Sequence, residues 1–338
     1  MECLTSLVLC DYVIKDLRGA LLNLRKQYLM EEYKGYINKV MDYISNHLDD
    51  DLSLKRLAQE ANFSVSHFHR IFQKVTGETV NNYIRRIRLE FSANKLTKNP
   101  KLSITEIAYS MGFSSSACFS REFRRCFGMS ASRYRDRELV EKSKIGKTKS
   151  QISNNKDMNG KESHASFNDN NKNNIIRRKN MKFSAKVKEM PEMNIVYIRH
   201  RGPYNQVGDA IRKIMKWCTA RDLIRFPETK ILTVYHDDPD ITQKEKLRSD
   251  ACVTVPRGTK TEGEVGTYVI PGGKFAVASV EITADEFGDA WDKLVGDWIP
   301  EHGYQSDERL CYEIGLNDPK QHPEGKFIVD ICEPVKPL

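Results

Sequence analysis

Several things are missing from this chain of 338 residues, and each absence removes a class of function. No apolar run approaches the roughly 18 residues needed to cross a bilayer, and the short run Leu4–Cys10 has no basic segment before it, so neither a membrane span nor a secretory leader is expected. The eight cysteines (Cys3, Cys10, Cys118, Cys126, Cys218, Cys252, Cys311, Cys332) contain no Cys-x-x-Cys pair and no Cys/His spacing suited to zinc. Reduced thiols in a cytoplasmic protein are the expectation, with no metal and no cofactor. No Ser-His-Asp or Cys-His arrangement is recognisable by motif, and no glycine loop of the phosphate-cradling kind occurs, so no catalytic residue is assigned. Between Asp136 and Asn180 the chain is nearly without aromatic residues and runs to Lys, Asn, Ser and Asp. Such a stretch buries too little apolar area to offset its chain entropy and reads as a linker.

What is present is unevenly charged. Lys34–Arg135 carries 17 basic against 9 acidic residues, and Lys182–Leu338 carries 22 against 26. A compact basic segment points to a polyanion, and the acidic one to a neutral or cationic partner. The length suits two domains, each with its own core. The organisation read from the sequence is an uncertain extension over 1–33, an all-helical domain over 34–135, a linker over 136–181, and a mixed α+β domain over 182–338. Val13–Met30 has a helical apolar rhythm with no obvious destination. Met30-Glu-Glu-Tyr-Lys reads as a more natural beginning, so translation from Met30 is an expectation that peptides upstream of it in the native host would remove.

In the first half Tyr36, Ile37, Val40, Met41, Ile44 and Leu48 recur at helical spacing. Ser53 is placed to cap a helix whose buried face is Leu54, Leu57, Ala58 and Ala61. Asn62-Phe63 makes a turn, and Ser64 caps a second helix with Phe68, Ile71, Phe72 and Val75 inward and Gly77 at its end. Exposed on that second helix are Ser66, His69, Arg70, Gln73 and Lys74. The arrangement returns from Ile104 to Gly128, with Phe119, Phe123, Cys126 and Phe127 inward and Ser116, Ala117, Ser120, Arg121, Arg124 and Arg125 outward. Two helix-turn-helix motifs with polar and basic outer faces are the reading, joined by a helix carrying Arg85, Arg86 and Arg88. His67 and His69 stand at i and i+2, on different helix faces, which argues against a metal pair.

These residues resemble the DNA-binding domain of the AraC/XylS family: Ala108-x-x-x-Gly112-Phe113, Phe119-Ser-Arg121 with Phe123, Phe127-Gly128 and Tyr134-Arg135. Ala131 departs from it, standing where the family usually has proline. The resemblance implies that two recognition helices enter successive major grooves about 34 Å apart. It assigns base contacts to Ser66, His69, Arg70, Ser116, Ala117 and Arg121. Lys74, Arg124 and Arg125 lie further along and suit phosphates, which set register without reading sequence. Promoter duplex is the expected partner, with RNA polymerase, and activation the expected sign.

The second half alternates strands and helices, with strand-like runs at Ile195–Ile198, Ile231–Tyr235, Cys252–Val255, Phe275–Val280, Leu310–Leu316 and Phe327–Ile331. It repeats at a spacing of 80: Gly208-Asp-Ala210 and Lys213 match Gly288-Asp-Ala290 and Lys293, and Asp238-Pro239 matches Asp318-Pro319. A duplicated strand-helix-strand-strand unit with a central cleft is expected. Leu310–Leu316 has two unlike faces; if helices cover the Tyr312 face, Glu313 opens onto the other, with Thr233 as its counterpart in the repeat and Tyr235 beside it. A carboxylate among aromatic rings suits an organic cation, and Trp291, Trp298, Tyr197, Tyr204 and Tyr268 are further candidate walls.

Arg199-His-Arg-Gly-Pro-Tyr204, Tyr235-His-Asp-Asp-Pro239, Ile270-Pro-Gly-Gly-Lys274 and Tyr312-Glu313 resemble the GyrI-like domain, over about Lys182–Lys336. In the order of its parts the chain is similar to regulators of the right-origin-binding-protein type. The resemblance implies a small-molecule effector, often cationic and aromatic. Two alternatives stay open: a hydrolase built on the same glutamate and aromatics, as in some GyrI-like proteins, and a module that docks another macromolecule.

Overall fold

The computed structural model describes residues 2–99, 101–137 and 181–338, with side chains of 2–20 and 22 left aside. Packing divides them into two units, Met1–Arg85 with Lys260–Gly266, and Arg86–Thr259 with Thr267–Leu338. The division falls within a helix and not in the segment read as a linker, most of which lies outside the described residues.

The first unit opens with a 45-residue helix, α1 (Glu2–Asn46). Its C-terminal part finds a core: Ile37, Val40, Met41 and Ile44 are buried, whereas Leu21 and Leu24 are exposed. Tyr36, expected on the buried stripe, is 39% exposed and packs edge-on against Phe63. Next come α2 (Leu54–Glu60) and α3 (Val65–Thr76). Both start on a serine whose hydroxyl takes an otherwise orphaned backbone N–H, Ser53 from Arg56 and Ser64 from His67. Asn62 turns the chain with φ 55°, after which the Phe63 N–H donates to the Ala58 carbonyl at 2.9 Å.

Helix α4 (Val80–Lys98) leads to the second motif, α5 (Ile104–Ser110) and α6 (Ser116–Phe127). The turn is built the same way. Gly112 takes φ 72°, and the Phe113 N–H donates to the Ala108 carbonyl at 3.1 Å. Phe119 and Phe123 are buried as expected, but Cys126 is exposed, because it lies in the last turn of α6 at the edge of the apolar stripe. Residues 131–137 are again helical, with Ala131 and Tyr134 buried.

The remainder is a nine-stranded sheet: β1 (Lys182–Met190), β2 (Met193–Arg201), β3 (Ile231–Tyr235), β4 (Arg248–Thr254), β5 (Gly266–Ile270), β6 (Gly273–Ile282), β7 (Tyr304–Ser306), β8 (Cys311–Gly315) and β9 (Phe327–Pro337). Its order is β1-β6-β9-β8-β3-β4-β2-β5, with β7 on β9. Six strands match the runs read from the sequence; β1, β5 and β7 were not expected. Helix α7 (Gly208–Thr219) follows β2. Helix α8 (Phe287–Trp291) follows β6 and continues through a π-helical stretch, Asp292–Trp298.

Strand register carries the 80-residue spacing. Arg199 faces Asp250 in the β2–β4 ladder and Ser279 faces Asp330 in the β6–β9 ladder, each residue shifted by 80. Thr233 faces Ala251 and Glu313 faces Ile331 in the same relation. The two ladders meet where Thr233 faces Glu313.

Strand alternation separates two cores. One holds Ile195, Tyr197, Leu232, Val234, Phe275, Tyr312 and Ile314. The other holds Ala276, Ala278, Val280 and Ile331 packed against Ala290 and Leu294, with Trp291 partly buried beside them. The helix that brings Trp291 therefore lies on the Glu313 side, so the expected condition for Glu313 to open onto the uncovered face, helices over the Tyr312 face, is not met. Tyr312 is buried in the core on the other side of the sheet, against Phe275 at 5.2 Å between ring centroids. Among the described residues no helix is long and apolar enough to cross a membrane.

Candidate DNA-facing helices and effector site

On α3, Ser66, Arg70 and Lys74 are exposed and His69 is half-buried; on α6, Ala117, Arg121, Arg124 and Arg125 are exposed and Ser116 is half-buried. Because each helix buries a phenylalanine stripe (Phe68 and Phe72; Phe119 and Phe123), these nine residues fall on outer faces. Some are already engaged along their own helix. An Arg70 Nη2 lies 3.1 Å from His67 Nδ1, and Arg125 Nη2 donates to Glu122 Oε2 at 2.7 Å. The latter pair orients Arg125 along the helix surface.

In the sheet, the face carrying Glu313 also carries Tyr235 and receives Trp291 from α8. The indole Nε1–H donates to Glu313 Oε1 at 2.6 Å, and the Tyr235 hydroxyl bonds the same carboxylate. The Tyr235 ring packs edge-on against Trp291 at 5.9 Å and against Tyr204 at 4.7 Å. Tyr204, on the turn before α7, donates its hydroxyl to the Asp237 carbonyl at 2.5 Å. Glu313 is 7% exposed. Burial pushes its carboxyl up to about 7, against the two hydrogen bonds that favour the anion. Burial and the adjacent carboxylate together raise the Tyr235 phenol well above its ordinary value, so the phenol stays a donor to Glu313.

Four expected residues thus converge: Glu313, Tyr235, Tyr204 and Trp291. Three do not. Tyr197 and Tyr268 lie on the opposite side of the sheet, packed against each other at 5.1 Å. Trp298 stacks on His302 at 4.0 Å and packs against the helix-side core. A half-turn of strand or a few residues of helix decides this, and aromatic content alone could not.

Sequence reasoning also missed the charged lattice beneath the site. Arg199 donates to both Asp250 oxygens, Nε to Oδ1 at 2.8 Å and Nη2 to Oδ2 at 2.9 Å, with both side chains buried. His236 Nε2 stands 2.7 Å from Asp250 Oδ2, and Tyr268 donates to that oxygen at 3.2 Å. Burial alone would raise the Asp250 carboxyl, but Arg199 and His236 outweigh it and hold the group below its ordinary range. Arg248 grips Asp237 in the same way, Nη2 to Oδ1 at 2.6 Å and Nε to Oδ2 at 2.9 Å. The signal was present in the motifs Arg199-His-Arg-Gly-Pro-Tyr204 and Tyr235-His-Asp-Asp-Pro239. Their charged members hold the strand ends, and only Tyr204 and Tyr235 reach the site. The paired glycines of Ile270-Pro-Gly-Gly-Lys274 are steric: a Cβ on Gly272 would lie 2.7 Å from the Met190 carbonyl, and Gly273 has φ 128°.

Residues 184–336 match the family described as GyrI-like small molecule binding domain, and residues 57–137 match a helix-turn-helix domain. DNA gyrase inhibitor 2 of Dickeya dadantii (strain 3937) is 34% identical over 151 residues, which are 44% of this chain and 92% of that protein. The Msm operon regulatory protein of Streptococcus mutans serotype c (strain ATCC 700610 / UA159) is 39% identical over 102 residues, 30% of this chain and 36% of that one. The solved C-terminal domain of EcmrR aligns with a TM-score of 0.42 at 21% identity, over 47% of this chain and all of that one.

Proposed function

The chain belongs to the GyrI-like family, and from that premise we propose that its Glu313 site senses a small aromatic cation and sets the DNA grip of its helix-turn-helix motifs. It is a DNA-binding transcription regulator of AraC type joined to a small-molecule-binding domain. What supports the cation in particular is one observation. Glu313 is a nearly buried carboxylate whose two hydrogen-bond donors, Trp291 and Tyr235, are themselves aromatic rings. An arriving cation favours the ionised form of Glu313, which burial disfavours, and the ring faces add cation–π attraction.

On the DNA side the reading is that Arg70 and Arg121 read guanine edges, helped by Ser66, His69, Ser116 and Ala117, while Lys74, Arg124 and Arg125 hold phosphates. The protein acts in the cytoplasm at promoters, as an activator in contact with RNA polymerase. Its boundaries are those of the sequence: DNA-binding over 34–135, linker over 136–181 and sensor over 182–338.

A sensor, not a catalyst, is the reading of the Glu313 site, because the carboxylate is engaged by two donors and no nucleophile–base pair accompanies it in the cluster described. Equilibrium dialysis of the full chain against tetraphenylphosphonium and uncharged analogues of similar size tests this. Saturable retention of the cation, recovered intact, is expected. Preference for the uncharged compounds overturns the cation reading, and chemical conversion of a bound compound favours the hydrolase.

A further inference from the structure

The second half of α4 lies in the same packed unit as the sheet. An i, i+4 pair such as Arg86–Glu90 ordinarily sits on a solvated face and contributes little. Here the pair is 3.0 Å apart with side chains only 11% and 9% exposed, and Glu90 also takes a hydrogen bond from Thr242, in the β3–β4 connection. Asp237 and Arg248 also act on its charge, the first raising and the second lowering its proton affinity. At the end of the helix, Lys98 Nζ stands 4.0 Å from Glu333 Oε1 on β9, a carboxylate with a 6% exposed side chain. A buried charge is tolerated only while its partners stay in place, so each of these contacts is sensitive to small displacements on the sheet side.

Those partners are the ones that touch the effector site. Arg248 is locked to Asp237, whose carbonyl takes the Tyr204 hydroxyl, and Tyr204 packs on Tyr235, which bonds Glu313. Along a second route, Glu333 takes the Cys311 thiol as a donor, and Cys311 faces Tyr235 across the β3–β8 ladder. We propose that α4 is the receiving element of the sensor: occupancy at Glu313 displaces Tyr204 and Tyr235, and this alters how firmly Glu90 and Lys98 hold α4 against the sheet. Since α4 is the helix that leads from the first helix-turn-helix motif to the second, this gives the effector a purchase on both. The inference rests on the sensor reading for what it connects, and linkage makes it reciprocal: DNA that resets α4 changes effector affinity by the same factor.

The test needs no effector. Hydrogen exchange of the full chain is followed for wild type, Tyr204→Phe, which removes the bond to Asp237, and Thr242→Val, which removes the bond to Glu90. Amides of 86–98 are expected to exchange about threefold faster or more in both variants, while β6 and β9 keep wild-type protection. Unchanged exchange over 86–98 in both variants overturns the proposal, as does acceleration matched in β6 and β9, which would mark general loosening. Either result leaves the sensor reading to its own binding measurement.

Discussion

Thr233 and Glu313 face each other across the β3–β8 ladder, each opposite the residue 80 positions away from it in sequence. The sheet is thus most symmetric in register where it is least symmetric in chemistry. A neutral hydroxyl meets a carboxylate, and the carboxylate alone is met by an indole N–H. The proposed effector site is accordingly a single one at the junction, in place of two equivalent ones.

The raised Glu313 carboxyl makes stability depend on pH in a direction opposite to that of most acids. In the folded chain the group holds its proton up to about 7, whereas in the unfolded chain it loses it near its ordinary value of 4.5. The folded state therefore binds more protons between these values, and its stability falls as pH rises through that window. The expected loss from this group is about 3 kcal/mol. Denaturant unfolding of wild type and Glu313→Gln from pH 4 to 8 reads it as a difference, in which the similar shift of Glu90 cancels. Parallel curves for the two proteins would contradict the account.

The buried Arg199–Asp250 pair shapes the strands under the site without entering it. Asp250→Asn removes the carboxylate charge that faces the Arg199 guanidinium, which is 1% exposed. A destabilisation of about 3 to 5 kcal/mol is expected in chemical unfolding. A loss under about 1 kcal/mol would show that the network is dispensable.

Arg70→Ala and Arg121→Ala are each expected to weaken binding to a duplex selected by the full chain by about 1 to 3 kcal/mol, and to relax preference at one base position. Lys74→Ala is expected instead to weaken binding uniformly and to lower the salt slope by about one phosphate contact. Gel-shift titrations over a salt series separate the two patterns. Undiminished affinity in both arginine variants would remove the groove assignment.

The helical half was legible because its signals are local. Serine caps, a left-handed turn residue and a phenylalanine stripe fix each motif within about twenty residues, and the structure places Ser53, Ser64, Asn62, Phe68 and Phe119 as the spacing requires. The sheet was legible only in part. Strand β1, with Lys182, Lys186 and Lys188 along an edge, lacks the apolar density that marks a strand and is found only through its pairing with β6. Glu313 was recognisable as a misfit in an apolar run. Which aromatic rings meet it was not, because Trp291 arrives from a helix and Tyr197 is turned away by the alternation of β2. Arg199, His236 and Asp250 come from three separate strand ends, and no spacing in the sequence reveals that they share one carboxylate.

The central claim is that the Glu313 site governs the hold on DNA. It is tested most directly by measuring the affinity of the full chain for its selected duplex with and without saturating tetraphenylphosphonium, in wild type and in Glu313→Gln. The account predicts a shift of about fivefold or more in wild type and none in the variant. An unchanged affinity in wild type with the cation demonstrably bound, or an equal shift in both proteins, would contradict it.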